Sequence, residues 1–106
     1  MKHFVWISFD LGVKGDYDSL YAWLDFHGAK ECADSVACFY YEHTGDLRED
    51  IVADIHDAVA FDTKSRVYMI HLVDGKMKGS FIVGQRRNPP WAGYAPTGER
   101  GDDTSA

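Results

Sequence analysis

The sequence predicts an α/β sandwich of the α+β kind, with two helices on one face of a mainly antiparallel sheet. Three observations carry that prediction. Two stretches, 17–24 and 47–59, repeat apolar residues at helical spacing. Each is flanked by short runs rich in β-branched and aromatic residues. The last two such runs are separated by Asp74-Gly75, a pair suited to a tight hairpin turn. At 106 residues, 45% hydrophobic and 26% charged, the chain is sized and balanced for one soluble domain with its own core.

The elements follow in order. Phe4 to Phe9 is an apolar and aromatic run ended by Asp10 and Gly12, which reads as a buried strand. Period-two alternation sets Val5, Ile7 and Phe9 on one face, and Phe4, Trp6, Ser8 and Asp10 on the other. After the loop 12–16, Tyr17, Leu20, Tyr21 and Leu24 form a helical stripe, with Asp16 or Asp18 as N-cap and Gly28 as the stop. Trp23 and Phe26 lie off that stripe and are expected to meet another surface. Residues 29–42 are β-prone but broken by Asp34-Ser35, giving either two short strands or one long strand with a bend.

Thr44-Gly45-Asp46 breaks the chain before the second helix. Asp46 and Glu49 have capping-box spacing, and Leu47, Ile51, Ile55, Ala58 and Val59 make one apolar stripe. Asp50, Asp54 and Asp57 recur on another face, which reads as solvated. Arg66–Val73 and Met77–Gly84 are then strands of one hairpin. Strand, helix, one or two strands, helix, strand, strand points to a ferredoxin-like βαββαβ sandwich with an extra C-terminal strand.

Composition changes at Gly84. Residues 1–84 hold eight basic and fourteen acidic side chains and so carry the whole net charge of -6. Residues 85–106 contain all three prolines and read as a tail, anchored by Trp91 and Tyr94 and mobile beyond Thr97. The acidic balance speaks against broad electrostatic binding to nucleic acid or anionic membrane. No apolar run approaches the roughly 20 residues of a membrane span. The N-terminus lacks a signal-peptide pattern, so a cytoplasmic protein is expected.

Asp10 is the leading candidate for chemistry. A carboxylate at the end of a buried strand, beside Ser8 and Trp6, can hold Mg²⁺ or Mn²⁺ with waters and a phosphate oxygen. The plainer role for the same residue is to cap the turn that follows it. A second candidate is the segment 85–91: Arg86 and Arg87 beside Pro-Pro-Trp91 suit a phosphate, a carboxylate or a protein surface, while Trp91 also suits docking onto its own domain or a second protomer. The five histidines show no metal-ligand spacing, and His71 and His43 are the next choices for acid–base work. Cys32 and Cys38 lack C-x-x-C spacing and read as reduced packing residues, on neighbouring strands if Asp34-Ser35 is a turn. Walker, dinucleotide and G-x-S-x-G patterns are all missing.

The runs V-W-I-S-F-D-L (Val5 to Leu11), D-Y-D-S-L-Y-A-W-L followed by Gly28, and D-S-V-A-C-F (Asp34 to Phe39) resemble the small CRISPR-associated adaptation proteins. The superfamily of those proteins includes the virulence-associated D toxins. The resemblance covers roughly residues 4–73 and rests on short hydrophobic motifs. It implies a homodimer whose first-strand aspartates face each other and share a metal, with Asp10 as the catalytic and metal-site residue and Ser35 as the strand-opening serine. Phe4 and Trp6 on the face away from the helices also favour a homodimer. Two functions are therefore expected: a nucleic-acid-associated, metal-dependent phosphodiesterase, or a non-catalytic dimeric module that binds a protein partner through residues 86–91.

Overall fold

The computed structural model describes residues 1–96. Strand β1 (Lys2–Asp10) is followed by helix α1 (Tyr17–Phe26), strands β2 (Lys30–Ala33) and β3 (Val36–Glu42), helix α2 (Leu47–Ala58), and strands β4 (Arg66–Val73) and β5 (Lys76–Val83). The five strands form one antiparallel sheet in the order β2-β3-β1-β4-β5. β3 therefore lies between β1 and β2, and β1 lies between β3 and β4, so each helical connection straddles one strand. Residues 29–42 are two strands, because Ser35 takes a left-handed φ of 66° and turns the chain back.

The alternation read in β1 holds. Val5, Ile7 and Phe9 are buried, as are Ala37, Phe39 and Tyr41 of β3 and Val67 and Met69 of β4 beside them. These residues meet Leu20, Trp23 and Leu24 of α1 and Leu47, Ile51 and Ile55 of α2, so both helices cover one face. The α1 stripe departs from its sequence reading at one position. Trp23 belongs to the core, edge-on to Phe39 at 5.6 Å between ring centroids, while Tyr21 and Phe26 are exposed. The indole fills the span to β3 that a leucine would leave open.

Carboxylates set both helix starts. Asp46 accepts the Glu49 N–H at 3.0 Å, and Asp16 accepts the Ser19 N–H at 3.2 Å. The second oxygen of Asp16 accepts the Ala60 N–H at 3.1 Å, tying the start of α1 to the chain just after α2. These hydrogen bonds, that from Ala60 foremost, hold the Asp16 carboxyl below the usual carboxylate range. In the tail, Trp91 and Tyr94 are 72% and 84% exposed, so the expected anchoring on their own domain does not occur. The mobility expected beyond Thr97 concerns residues outside those described.

Two glycines test the backbone argument. Asp74 and Gly75 both have positive φ, 52° and 79°, as a two-residue hairpin of this hand requires, and space around Gly75 is open. Gly84 has φ of 75°, and a Cβ there would stand 2.4 Å from the Ser65 carbonyl oxygen. Gly75→Ala should cost about 1 kcal/mol and Gly84→Ala about 3 kcal/mol, the excess being a backbone collision. Urea unfolding of the two variants measures the difference; equal costs would show that the 65–84 contact yields freely.

Candidate functional site

The face of the sheet away from the helices is uncovered. From β1 it presents Phe4, Trp6, Ser8 and Asp10, none of them fully buried. Tyr40 of β3 and Ile70 of β4 flank Phe4 and Trp6 in register. Phe4 packs edge-on against both Trp6 and Tyr40, each at 4.8 Å between centroids, and Tyr68 against Phe81 at 4.8 Å. Tyr68 lies across β5 where Gly79 leaves room: a Cβ on that glycine would sit 2.3 Å from the phenol oxygen. The result is an aromatic surface of two clusters, Phe4 with Trp6 and Tyr40, and Tyr68 with Phe81.

At the end of this surface the sheet forms a depression of about 400 Å³ lined by Ser8, Asp10, Arg66, Tyr68, Phe81 and Arg86, together with Phe9. Asp10 and Arg66 are cross-strand partners but form no ion pair. Asp10 Oδ1 accepts the Gly12 N–H at 3.0 Å, so the carboxylate does cap its turn, with one oxygen. The Arg86 guanidinium stands 5.9 Å above the Phe81 ring. The Arg66 Nε is buried with no hydrogen-bond partner. Two cations, one carboxylate, a hydroxyl and a phenol thus converge on one hollow.

Charge on this face differs from that of the chain. By strand alternation Lys2, Lys30 and Arg66 project to the open side, joined by Arg86, against Asp10 and Glu42. Four bases against two acids make the open face positive although the net charge is -6.

Of the residues singled out from the sequence, Ser8, Asp10 and Arg86 come together here. Ser35 sits in the β2–β3 turn, where its carbonyl accepts the Phe9 N–H at 2.9 Å, and it borders a different hollow beside α1. Arg87 turns away to donate to the Lys64 carbonyl, and Trp91 is apart from the hollow. Arg66, Tyr68 and Phe81 were not singled out, since the β1–β4 pairing brings Arg66 and Tyr68 beside β1 and the β4–β5 pairing adds Phe81. One oxygen of Asp10 is engaged by Gly12, two guanidiniums line the same hollow, and no cluster of three metal-donor side chains occurs among the described residues. No protein-family model matches the chain, and no curated protein or solved structure is significantly similar to it.

A second polar cluster lies on the helix side, where the sequence suggested only a solvated acidic face. Asp57 is exposed as expected, whereas Asp50 and Asp54 are half-buried. Asp54 accepts the Tyr41 hydroxyl at 3.0 Å and lies 3.3 Å from His27 Nε2, not aligned for a hydrogen bond. Burial, then Asp54, pushes the Tyr41 phenol well up, so it stays a donor. His43 Nδ1 meets the Gly45 carbonyl at 2.8 Å; a carbonyl only accepts, so His43 Nε2 is left to accept from His3 Nδ1 at 2.6 Å. Nothing solvent-facing connects these groups to the hollow at Asp10, and their fixed partners fit a structural role.

His71 joins the same side of the sheet, buried and with Nδ1 unpartnered. Desolvation, then the neighbouring His3 and Lys78, hold its pKa below the ordinary 6.5, while Asp46 opposes them weakly. The native ring takes up its proton only at a lower pH than the unfolded one, which does so near pH 6.5. Stability from this group is therefore full above pH 6.5 and is lost as pH falls below it. Thermal melts between pH 7.5 and 5 should fall less steeply for His71→Leu than for the parent. Parallel slopes would remove His71 as the cause.

Proposed function

We propose that the chain binds single-stranded nucleic acid on the open face of a ferredoxin-like sheet. The strand order β2-β3-β1-β4, with each β–α–β connection straddling one strand, supports reading the first four strands and both helices as that unit and β5 as the addition. The observation that carries the binding reading is the aromatic surface of Phe4, Trp6, Tyr40 and Tyr68 running into a hollow with two arginines. Bases stack on exposed rings without regard to sequence, and guanidiniums take phosphate oxygens by paired N–H donors. Asp10 repels a phosphate, so in this reading it faces a donor on the sugar or base, through the oxygen that Gly12 leaves free.

A second reading has its own support. Tyr40 and Met77 are 63% and 71% exposed on the same face as Phe4 and Trp6, an apolar surface that a second copy, packed sheet to sheet, would cover. In that homodimer two Asp10 side chains can approach each other, which is the arrangement that phosphodiester hydrolysis with Mg²⁺ or Mn²⁺ would require. The same covered face would also serve a non-catalytic module with a protein partner.

Anisotropy of labelled single-stranded RNA and DNA, read at low and moderate salt, tests the first reading. Trp6→Ala should weaken binding by roughly 1–3 kcal/mol. Arg66→Gln should reduce the salt slope by about 1. No binding at low salt, or full affinity in Trp6→Ala, would overturn it. Sedimentation of the free protein decides the homodimer. Cleavage of the same oligonucleotides with Mg²⁺, lost in Asp10→Ala, would convert binding into catalysis.

A further inference from the structure

Cys32 and Cys38 bring two thiols into contact at the edge of the sheet. Cys38 is on β3, directly opposite Lys30 of β2, and Ala37 is opposite Glu31; the register then slips so that Ala33 pairs with Val36. The irregularity falls at Cys32. Cys32 Sγ lies 2.9 Å from Cys38 Sγ. A disulfide bond is about 2.05 Å long, so closure needs a movement under about 1 Å in a hairpin only one turn long. Cys32 is exposed, so an oxidant in solution reaches it without any opening of the fold.

We propose that Cys32 and Cys38 form a reversible intrachain disulfide that fastens β2 to β3. The device is independent of the nucleic-acid reading, since it needs only the β2–β3 hairpin. β2 has four residues, all exposed, and pairs with β3 alone, so a covalent tie at Cys32 acts on the least secured part of the sheet.

The oxidant is a low-molecular-weight disulfide such as oxidised glutathione. The Cys32 thiolate attacks one of its sulfurs; that S–S bond breaks, one glutathione thiolate leaves, and a mixed disulfide forms on Cys32. Cys38, its proton lost to solvent, attacks Cys32 Sγ and expels the second glutathione thiolate. Two protein thiols are thereby oxidised to one disulfide, one glutathione disulfide is reduced to two thiols, and the two protons pass to them through solvent. In the reduced state the Cys32 S–H donates to Cys38, and this bond foremost, with the cost of desolvation, holds the Cys32 thiol above the usual thiol range. The first attack is consequently slow at neutral pH and speeds up about tenfold per pH unit in alkaline buffer.

The test is mass spectrometry of the intact protein, equilibrated in mixtures of reduced and oxidised glutathione and trapped with acid. The expected product has lost two hydrogens, runs as a single chain on a non-reducing gel, and melts about 5 °C or more above the reduced form. Cys38→Ser should stop at one stable glutathione adduct on Cys32. Two glutathione adducts per parent chain, a disulfide between chains, or free thiols throughout would each overturn the proposal. The parent readout stands whether or not the variant folds.

Discussion

β1 lies between β3 and β4, and its strict alternation is the constraint on which the rest of the molecule depends. Val5, Ile7 and Phe9 must leave water, and the two helices cover them. The same alternation obliges Phe4, Trp6, Ser8 and Asp10 to project from the other side, where no element follows. Slipping β1 by one residue would exchange these sets, placing Asp10 in the core and Ile7 in solvent. Pairing in register with both neighbours forbids that slip. The open face is thus as firmly specified as the core, although nothing covers it.

The helices are located by polar contacts as much as by apolar ones. Asp16 caps α1 with one oxygen and holds the Ala60 N–H with the other, so one carboxylate fixes where α1 begins and where the chain leaves α2. At the opposite end of the helix layer, the Tyr41 hydroxyl would be costly to bury alone, and Asp54 on α2 satisfies it. His43 is similarly placed between Gly45 and His3. These bonds are directional and tolerate little rotation of α2, which keeps its apolar stripe over the sheet. His43, one of the two histidines that sequence reading named for acid–base work, thus has both ring nitrogens engaged.

The strands and helices were legible because each carries a local signal. The Asp46/Glu49 spacing marks α2, Asp74-Gly75 marks the β4–β5 hairpin, and the alternation from Val5 to Asp10 assigns both faces of β1. One position of the α1 stripe was misread: Leu20 and Leu24 are buried and Tyr17 packs against the core, but Trp23 takes the place expected of Tyr21. Asp54 was misread as well. An acidic residue at helical spacing looks solvated until the fold places a tyrosine hydroxyl opposite it. The hollow at Asp10 was half legible: Ser8 and Asp10 are neighbours on one strand, but Arg66 and Phe81 arrive through pairings that no local pattern encodes. Cys32 and Cys38 show the same limit, since their approach depends on the β2–β3 pairing, and the sequence leaves open whether residues 29–42 form one strand or two.

Net charge does not describe the open face by itself, and the fold explains why. With four bases and two acids on the open face, the remainder of the chain holds seven bases and fifteen acids. Much of that excess lies on and around the helices, beyond the sheet as seen from a ligand on the open side. At physiological salt a charge is screened over about 8 Å, so a phosphate at Arg66 and Arg86 feels those two guanidiniums and Asp10 far more than the distant carboxylates. The balance within the hollow then favours an anion over a cation: two positive groups face one carboxylate, and that carboxylate already spends an oxygen on the Gly12 N–H. In the proposed reading this count places a phosphate, rather than a cation, in the hollow of one protomer.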